Sequence, residues 1–459
     1  MRTRKIIIRS FSILLLLVIA AAVWYATKAF PIISGYFAKN LASGIYLQNR
    51  TADDVVKEDL AEFPFSLCNY SVNDSDRSVS VSVWGFAKKK AIYRDGIGCT
   101  LINDLSEEEI RKQVFNRAMI KRMNPDSIAW PNGDKLTDTI PAELNQQLLK
   151  QAVTNVMQSN FKGKPSQTRA VVVLYNGQLV AEQYATGFDK NTVMTGWSVA
   201  KSLTSAMIGI LVKEGKLAID APAPVPEWKN TAKEKITLHM LLQQTTGVSF
   251  EEDYTRPSEV TNMLFRNGDM AAFTAKLPLK HEPGTAFNYS SGNTNILSRI
   301  IRHTVGEEAY ADFPYRSLFH QLNMYSMLLE PDASGTYVGS SYSYATARDF
   351  ARFGLLYYNN GMWNGEQLLP ADWVQQSIQP SAADKQKHYG YQFWLNGFSK
   401  EDTGKRWYPD VPADMFFADG YGGQDIYIIP SKKLVVVRLG LRVIDENKFL
   451  KEIIASVQN

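Results

Sequence analysis

Cysteine is nearly absent from this chain: two residues in 459, Cys68 and Cys99, beside five histidines. Neither cysteine has a close Cys or His neighbour, and no histidine pair has the H-E-x-x-H spacing. No metal site is therefore expected, and no cofactor is implied. In an exported chain the two thiols are candidates for a disulfide, with two unpaired thiols as the alternative, because spacing does not settle pairing. A surplus of charge is missing too. The formal net charge is +4, and Arg2, Arg4, Lys5 and Arg9 all precede the first acidic residue, leaving 4 − 4 = 0 for the remainder. That balance leaves no footprint for nucleic acid. Internal repeats and low-complexity tracts are absent, so a repeat array is not expected.

What is present begins with an uncharged run, Ser10 to Thr27, "SFSILLLLVIAAAVWYAT". Eighteen uncharged residues just span a bilayer as a helix, and the basic flank keeps its start cytoplasmic. Trp24 and Tyr25 suit the outer interface. The rival reading is a cleaved signal peptide with small residues at Ala20 to Ala22. Either way the bulk of the chain is exported: periplasmic on an inner-membrane anchor, or secreted if cleaved. Length then points to more than one compact region. The boundaries read as 1–28 for the anchor or signal segment, 29–125 for an accessory region, and 126–459 for the main domain.

In the accessory region "SVSVSVW" (Ser78 to Trp84) alternates as a strand, and "KKAIYR" (Lys89 to Arg94) predicts a second before "DGIG". "SEEEIRKQVFNRAM" from Ser106 predicts a capped helix. From Pro141, "PAELNQQLLKQAVTNVMQ" predicts an amphipathic helix starting at the proline. "RAVVVLYNGQLVAEQYA" (Arg169 to Ala185) predicts a hairpin turning at Asn176-Gly177. "DIYIIPSKKLVVVRLGLRV" (Asp425 to Val443) predicts another strand pair, followed by a helix over "NKFLKEIIASVQ". Strands at both ends with helical sequence between them predict an α+β fold: an antiparallel sheet built from N- and C-terminal strands, flanked by helices and joined by a helical subdomain.

The segment "GWSVAKSLTSAMIGILVKEGKL" puts Ser198 at the start of a predicted buried helix and Lys201 one turn later, on the same face. A serine hydroxyl attacks well only when a base takes its proton, and a desolvated lysine can be that base. The pattern alone is weak. Ser159 and Lys162 match S-x-x-K as well, and a helix-capping serine with a solvated lysine explains the pair equally. "GWSVA" is not G-x-S-x-G, which weakens an α/β-hydrolase reading.

Further segments follow in order: "ITLHMLLQQTTGVSF" from Ile236, "PGTAFNYSSGNTNILSRII" from Pro283, and "SSYSYATARDFARFGLLYYNNGMWNGEQLLPADW" from Ser340. Together these resemble the serine β-lactamase and penicillin-binding-protein superfamily. The resemblance is to class C β-lactamase-like hydrolases, nearest the 6-aminohexanoate-dimer hydrolase and esterase branch, over roughly residues 140 to 459. It implies the β-lactamase/transpeptidase-like fold. It also implies Ser198 as the acylated nucleophile, Lys201 as its base partner, and Tyr289 of "NYSSGN" as the phenol that passes protons. In place of K-T-G the chain has "ADGYGGQDIYIIP". By resemblance Gly420, Tyr421 and Gly422 border the substrate, and the amides of Tyr421 and Ser198 form an oxyanion hole. Ser291 stands where β-lactamases of this class carry the asparagine of Y-x-N, as a substrate-binding position. That change, and a missing cation beside Asp419, argue against efficient penicillin hydrolysis. "YGYQFW" (Tyr389 to Trp394) lines either a pocket for an apolar acyl chain or the core. The expected function is acyl transfer from a small amide or ester to Ser198 and then to water. A binding module on the same fold, or a peptidoglycan-directed peptidase or β-lactamase, is the alternative.

Overall fold

The computed structural model describes residues 2–117 and 124–458, with side chains from residue 5 onward. The chain divides into two compact units, Met1–Lys112 with Glu251–Gly268, and Gln113–Phe250 with Asp269–Asn459. The first unit therefore ends before residue 125 and takes in an excursion from the middle of the main domain's sequence.

In the first unit, helix α1 (Arg2–Tyr46) runs unbroken for 45 residues. Side chains from Lys5 to Lys28 are exposed, apart from half-buried Ala26, and Ala29 is the first buried one. The exposed part is long and apolar enough to cross a membrane. From Ala29 onward α1 has a partner. Strands β1 (Cys68–Asn73), β2 (Ser78–Val83), β3 (Phe86–Arg94) and β4 (Gly98–Leu101) form an antiparallel sheet in that order. Phe37, Ala38, Leu41 and Ala42 of α1 are buried, as are Val79, Val81, Val83 and Ala91 of the sheet. At Gly35 a Cβ would lie 2.9 Å from the Phe265 carbonyl, so only glycine lets α1 approach the helix Glu259–Arg266 this closely.

The sheet order corrects the disulfide expectation. Cys68 lies on β1 and Cys99 on β4, the two edges of the sheet, and no disulfide joins them. Three interstrand steps separate the edges by about 14 Å, beyond the ~7 Å Cα separation that a disulfide tolerates. Burial pushes the Cys68 thiol up to about 11, which keeps it protonated and unreactive. The helix expected from Ser106 forms over Glu107–Lys112, with Ser106 and Glu109 capping each other. Its predicted end at Met119 lies outside the described residues.

In the second unit, α2 (Gln146–Met157) begins at Asn145, whose side chain accepts from the Leu148 amide, not at Pro141 as predicted. Strands β5 (Thr168–Tyr175) and β6 (Gln178–Tyr184) form the expected hairpin, with φ of 47° at Asn176 and 81° at Gly177. Next come β7 (Met194–Thr195), α3 (Val199–Lys213), α4 (Ser291–Val305), β8 (Ser343–Ala345) and α5 (Ala347–Tyr358). The chain closes with β9 (Trp394–Leu395), β10 (Phe416–Gly420), β11 (Gln424–Ile429), β12 (Leu434–Gly440) and α6 (Glu446–Ala455). The main sheet is antiparallel with order β9-β10-β11-β12-β5-β6, so the last strand of the chain pairs with the first strand of this sheet, Val437 opposite Val172.

Alternation along these strands builds two cores. Val171, Val173, Tyr427, Ile429 and Val436 pack with Leu149, Val153, Leu450 and Ile453 of α2 and α6. Ala170, Val172, Leu174, Ile426 and Val437 pack with Leu203, Met207, Phe350 and Phe353 of α3 and α5. Both faces are covered, which is why β5 reads as a continuous apolar run.

Candidate active site

Ser198 precedes the first residue of α3, and its hydroxyl caps nothing. That removes the capping explanation for a serine at this place. The backbone just before it is strained: Trp197 has φ of +45°, which costs a bulky residue about 1–3 kcal/mol. The Gly196 amide fixes the turn by donating to the Ser343 carbonyl on β8 at 2.7 Å.

Lys201 follows one turn along α3 and is 1% exposed. Its Nζ donates to Ser198 Oγ at 3.0 Å, Ser291 Oγ at 2.9 Å and the Ser340 carbonyl at 3.0 Å. These are three neutral acceptors for an amine held out of water. The same nitrogen lies 4.8 Å from the centroid of the Tyr289 ring. Serine, lysine and tyrosine thus converge, although Tyr289 is 88 residues from Lys201 (289 − 201 = 88).

Ser291 differs from its expected place. It is fully buried as the first residue of α4 and accepts from Lys201, so its hydroxyl supports the amine. The Ser340 carbonyl went unnoticed in the sequence, since backbone oxygens carry no residue signature. A buried amide network also went unread. Gln244 donates to the Ser290 carbonyl and to Gln392, Thr294 donates to Gln392, and Ser202 of α3 donates to the Gln392 carbonyl. These bonds set the Tyr289–Ser291 segment against α3. The Tyr289 ring stacks on Trp394 at 5.1 Å and meets Tyr389 edge-on at 5.6 Å, so part of "YGYQFW" stands beside the site.

The end of β10 packs against the turn that carries the serine. A Cβ at Gly420 would come within 2.2 Å of the Gly196 carbonyl, so only glycine fits. Tyr421, half-exposed, meets the Trp197 ring at 5.5 Å. Gly422 and Gly423 have φ of 83° and 85°. Arg438, fully buried on β12, donates to the carbonyls of both, and Gln424 donates to the Tyr421 and Gly440 carbonyls. The turn is held from behind.

Arg438 stands in register with Asp425, which stands in register with Asp419, all on the sheet face covered by α6. Desolvation, followed by repulsion from Glu446, pushes the Asp419 carboxyl up to about 7. Desolvation, then Glu446 and Asp419, raise Asp425 well above the usual range. Such carboxyls hold protons when folded that the unfolded chain releases above about pH 4, so wild-type stability falls as pH rises from there toward 7. Asp425→Asn is expected to raise the melting temperature at pH 8 by the equivalent of about 1–3 kcal/mol, a gain that shrinks toward pH 4. Melting curves across this range check it; a gain independent of pH would contradict the assignment.

The Beta-lactamase family model matches residues 157–447. The chain belongs to that family. It is similar to the 6-aminohexanoate-dimer hydrolase of Paenarthrobacter ureafaciens, 26% identical over 294 residues, 59% of this chain and 72% of the relative. The solved structure "Putative 6-aminohexanoate-dimer hydrolase from Bacillus anthracis" superposes with a TM-score of 0.54 at 25% identity, covering 72% of this chain and 86% of that one. A family VIII carboxylesterase shares the fold, with a TM-score of 0.53 at 14% identity over 70% of this chain and 99% of its own. This Beta-lactamase family member therefore has the expected β-lactamase/transpeptidase-like α+β fold, within the serine hydrolase superfamily.

Proposed function

We propose that this chain is a serine hydrolase that cleaves a small amide or ester through an acyl-enzyme on Ser198. The observation that carries the reading is the buried Lys201 amine 3.0 Å from Ser198 Oγ. With its amine neutral, Lys201 accepts the hydroxyl proton as Oγ bonds to the substrate carbonyl carbon. Negative charge then develops on the carbonyl oxygen, which the amides of Ser198 and Tyr421 receive. Tyr289 passes the proton to the leaving amine or alcohol, because a phenol both donates and accepts. The C–N or C–O bond breaks, and water repeats the sequence on the acyl-enzyme to release the acid. The likeness to 6-aminohexanoate-dimer hydrolases supports an acyl substrate. The exposed apolar part of α1 is read as a membrane anchor with the enzyme on the far side, since the helix continues into the core of the first unit.

The test uses a fluorophosphonate probe on the full chain in detergent, with peptide mass spectrometry and p-nitrophenyl ester turnover. Stoichiometric label on Ser198 together with turnover is the expected result. Folded protein showing neither would make the chain a binding module.

A further inference from the structure

The first unit carries an apolar surface that the hydrolase reading does not use. Trp84 is 61% and Phe86 68% exposed, on either side of Gly85 at the turn between β2 and β3. Contacts with α1 fix where that turn lies. The Trp84 ring meets Phe30 edge-on at 5.8 Å, and Ser34 Oγ donates to the Ala87 carbonyl at 2.6 Å. The turn therefore sits beside the first buried stretch of α1, directly after its exposed part ends at Lys28.

Helix length gives that position a meaning. A hydrocarbon layer of about 30 Å takes about 20 helical residues. Counted from Ser10, the residue after Arg9, they end at Ala29 (10 + 19 = 29). Phe30 and Trp84 then fall at the outer edge of the apolar layer, where tryptophan and other aromatic rings partition favourably. Trp24 and Tyr25, both exposed, precede Phe30 on α1. Lys28 and Lys88, both exposed, frame the turn, and their long stems let the ammonium groups reach lipid phosphates while the carbons lie along apolar surface.

We infer that the Trp84–Gly85–Phe86 turn docks into the headgroup layer of the bilayer that α1 crosses, giving the first unit a second membrane contact. The inference rests on the anchor reading of α1. Lipid is the occupant because the patch continues the exposed apolar surface of the helix and carries cations at its border. A single helix leaves a domain free to rotate about the membrane normal and to tilt. A second contact at the helix exit holds the β1–β4 sheet at one tilt to the surface.

The experiment reconstitutes the full chain into phosphatidylcholine vesicles containing phosphatidylglycerol. A photo-crosslinking p-benzoylphenylalanine replaces Phe86, Trp84 or, as control, Ser75, which is exposed in the turn between β1 and β2 at the other end of the sheet. Flotation with the vesicles reads the anchor. After irradiation, lipid adducts found by mass spectrometry at positions 86 and 84 are expected to exceed those at 75 by about tenfold. Protein that floats but shows no such excess overturns the docked turn and leaves the anchor intact. Protein that fails to float overturns both.

Discussion

Lys201→Met is expected to lower kcat/KM for p-nitrophenyl esters by about 1,000-fold or more and to abolish fluorophosphonate labelling of Ser198, while the protein stays folded. Methionine keeps the buried apolar stem and much of the volume, so the space around α3 stays filled. What disappears is the nitrogen that bonds Ser198, Ser291 and the Ser340 carbonyl. The two hydroxyls can rotate to new partners, whereas the carbonyl is left short, at a cost of about 1–3 kcal/mol of stability. Labelling, turnover and thermal melting together check this. Lys201→Arg separates two roles of the side chain. Guanidinium keeps the positive charge but does not give up its proton in the working range, so a base role predicts that this variant is equally dead. Full activity in the methionine variant would remove Lys201 from the mechanism; activity in the arginine variant alone would leave it a purely electrostatic part.

The second large effect is on stability. Arg438→Met is expected to destabilise the fold by about 3–5 kcal/mol at pH 8, read from urea unfolding. The guanidinium is fully buried and donates to the carbonyls of Ser166, Gly422 and Gly423 and to Thr168 Oγ1. Its positive charge also opposes the rise of the Asp425 carboxyl opposite it, so its removal makes that buried acid still harder to ionise and adds to the proton uptake that folding requires at pH 8. Asp425→Asn on the Arg438→Met background is expected to recover part of the loss, because asparagine needs no proton to stay neutral in the interior. Strictly additive effects would mean that the two side chains do not interact.

Legibility in the sequence followed distance along the chain. Ser198 and Lys201 were readable because a helix brings i and i+3 to one face, and the Asn176-Gly177 turn was readable because only certain residues take positive φ. Tyr289 came from the order of several motifs, since nothing local distinguishes it from a packed aromatic. The start of α2 was missed by a competition between signals: Pro141 suits a first turn, but Asn145 holds the Leu148 amide and takes the cap. The end of the apolar N-terminal segment was read at residue 28. There the uncharged run has ended, yet α1 continues because the β1–β4 sheet covers its next face.

The amino-acid sequence by itself determined the periodicities, the caps and turns, the serine and lysine one helical turn apart, and the uncharged run long enough to cross a bilayer. These depend on backbone geometry and on neighbours a few residues away. Tertiary structure decided which distant groups share a space. It put Ser291 and the Ser340 carbonyl on the lysine, a row of ionisable side chains behind the Gly420–Gly423 turn, and the two cysteines on opposite edges of one sheet. Such contacts arise only when strands and helices pack, and packing follows total burial and shape, which no local stretch of residues encodes.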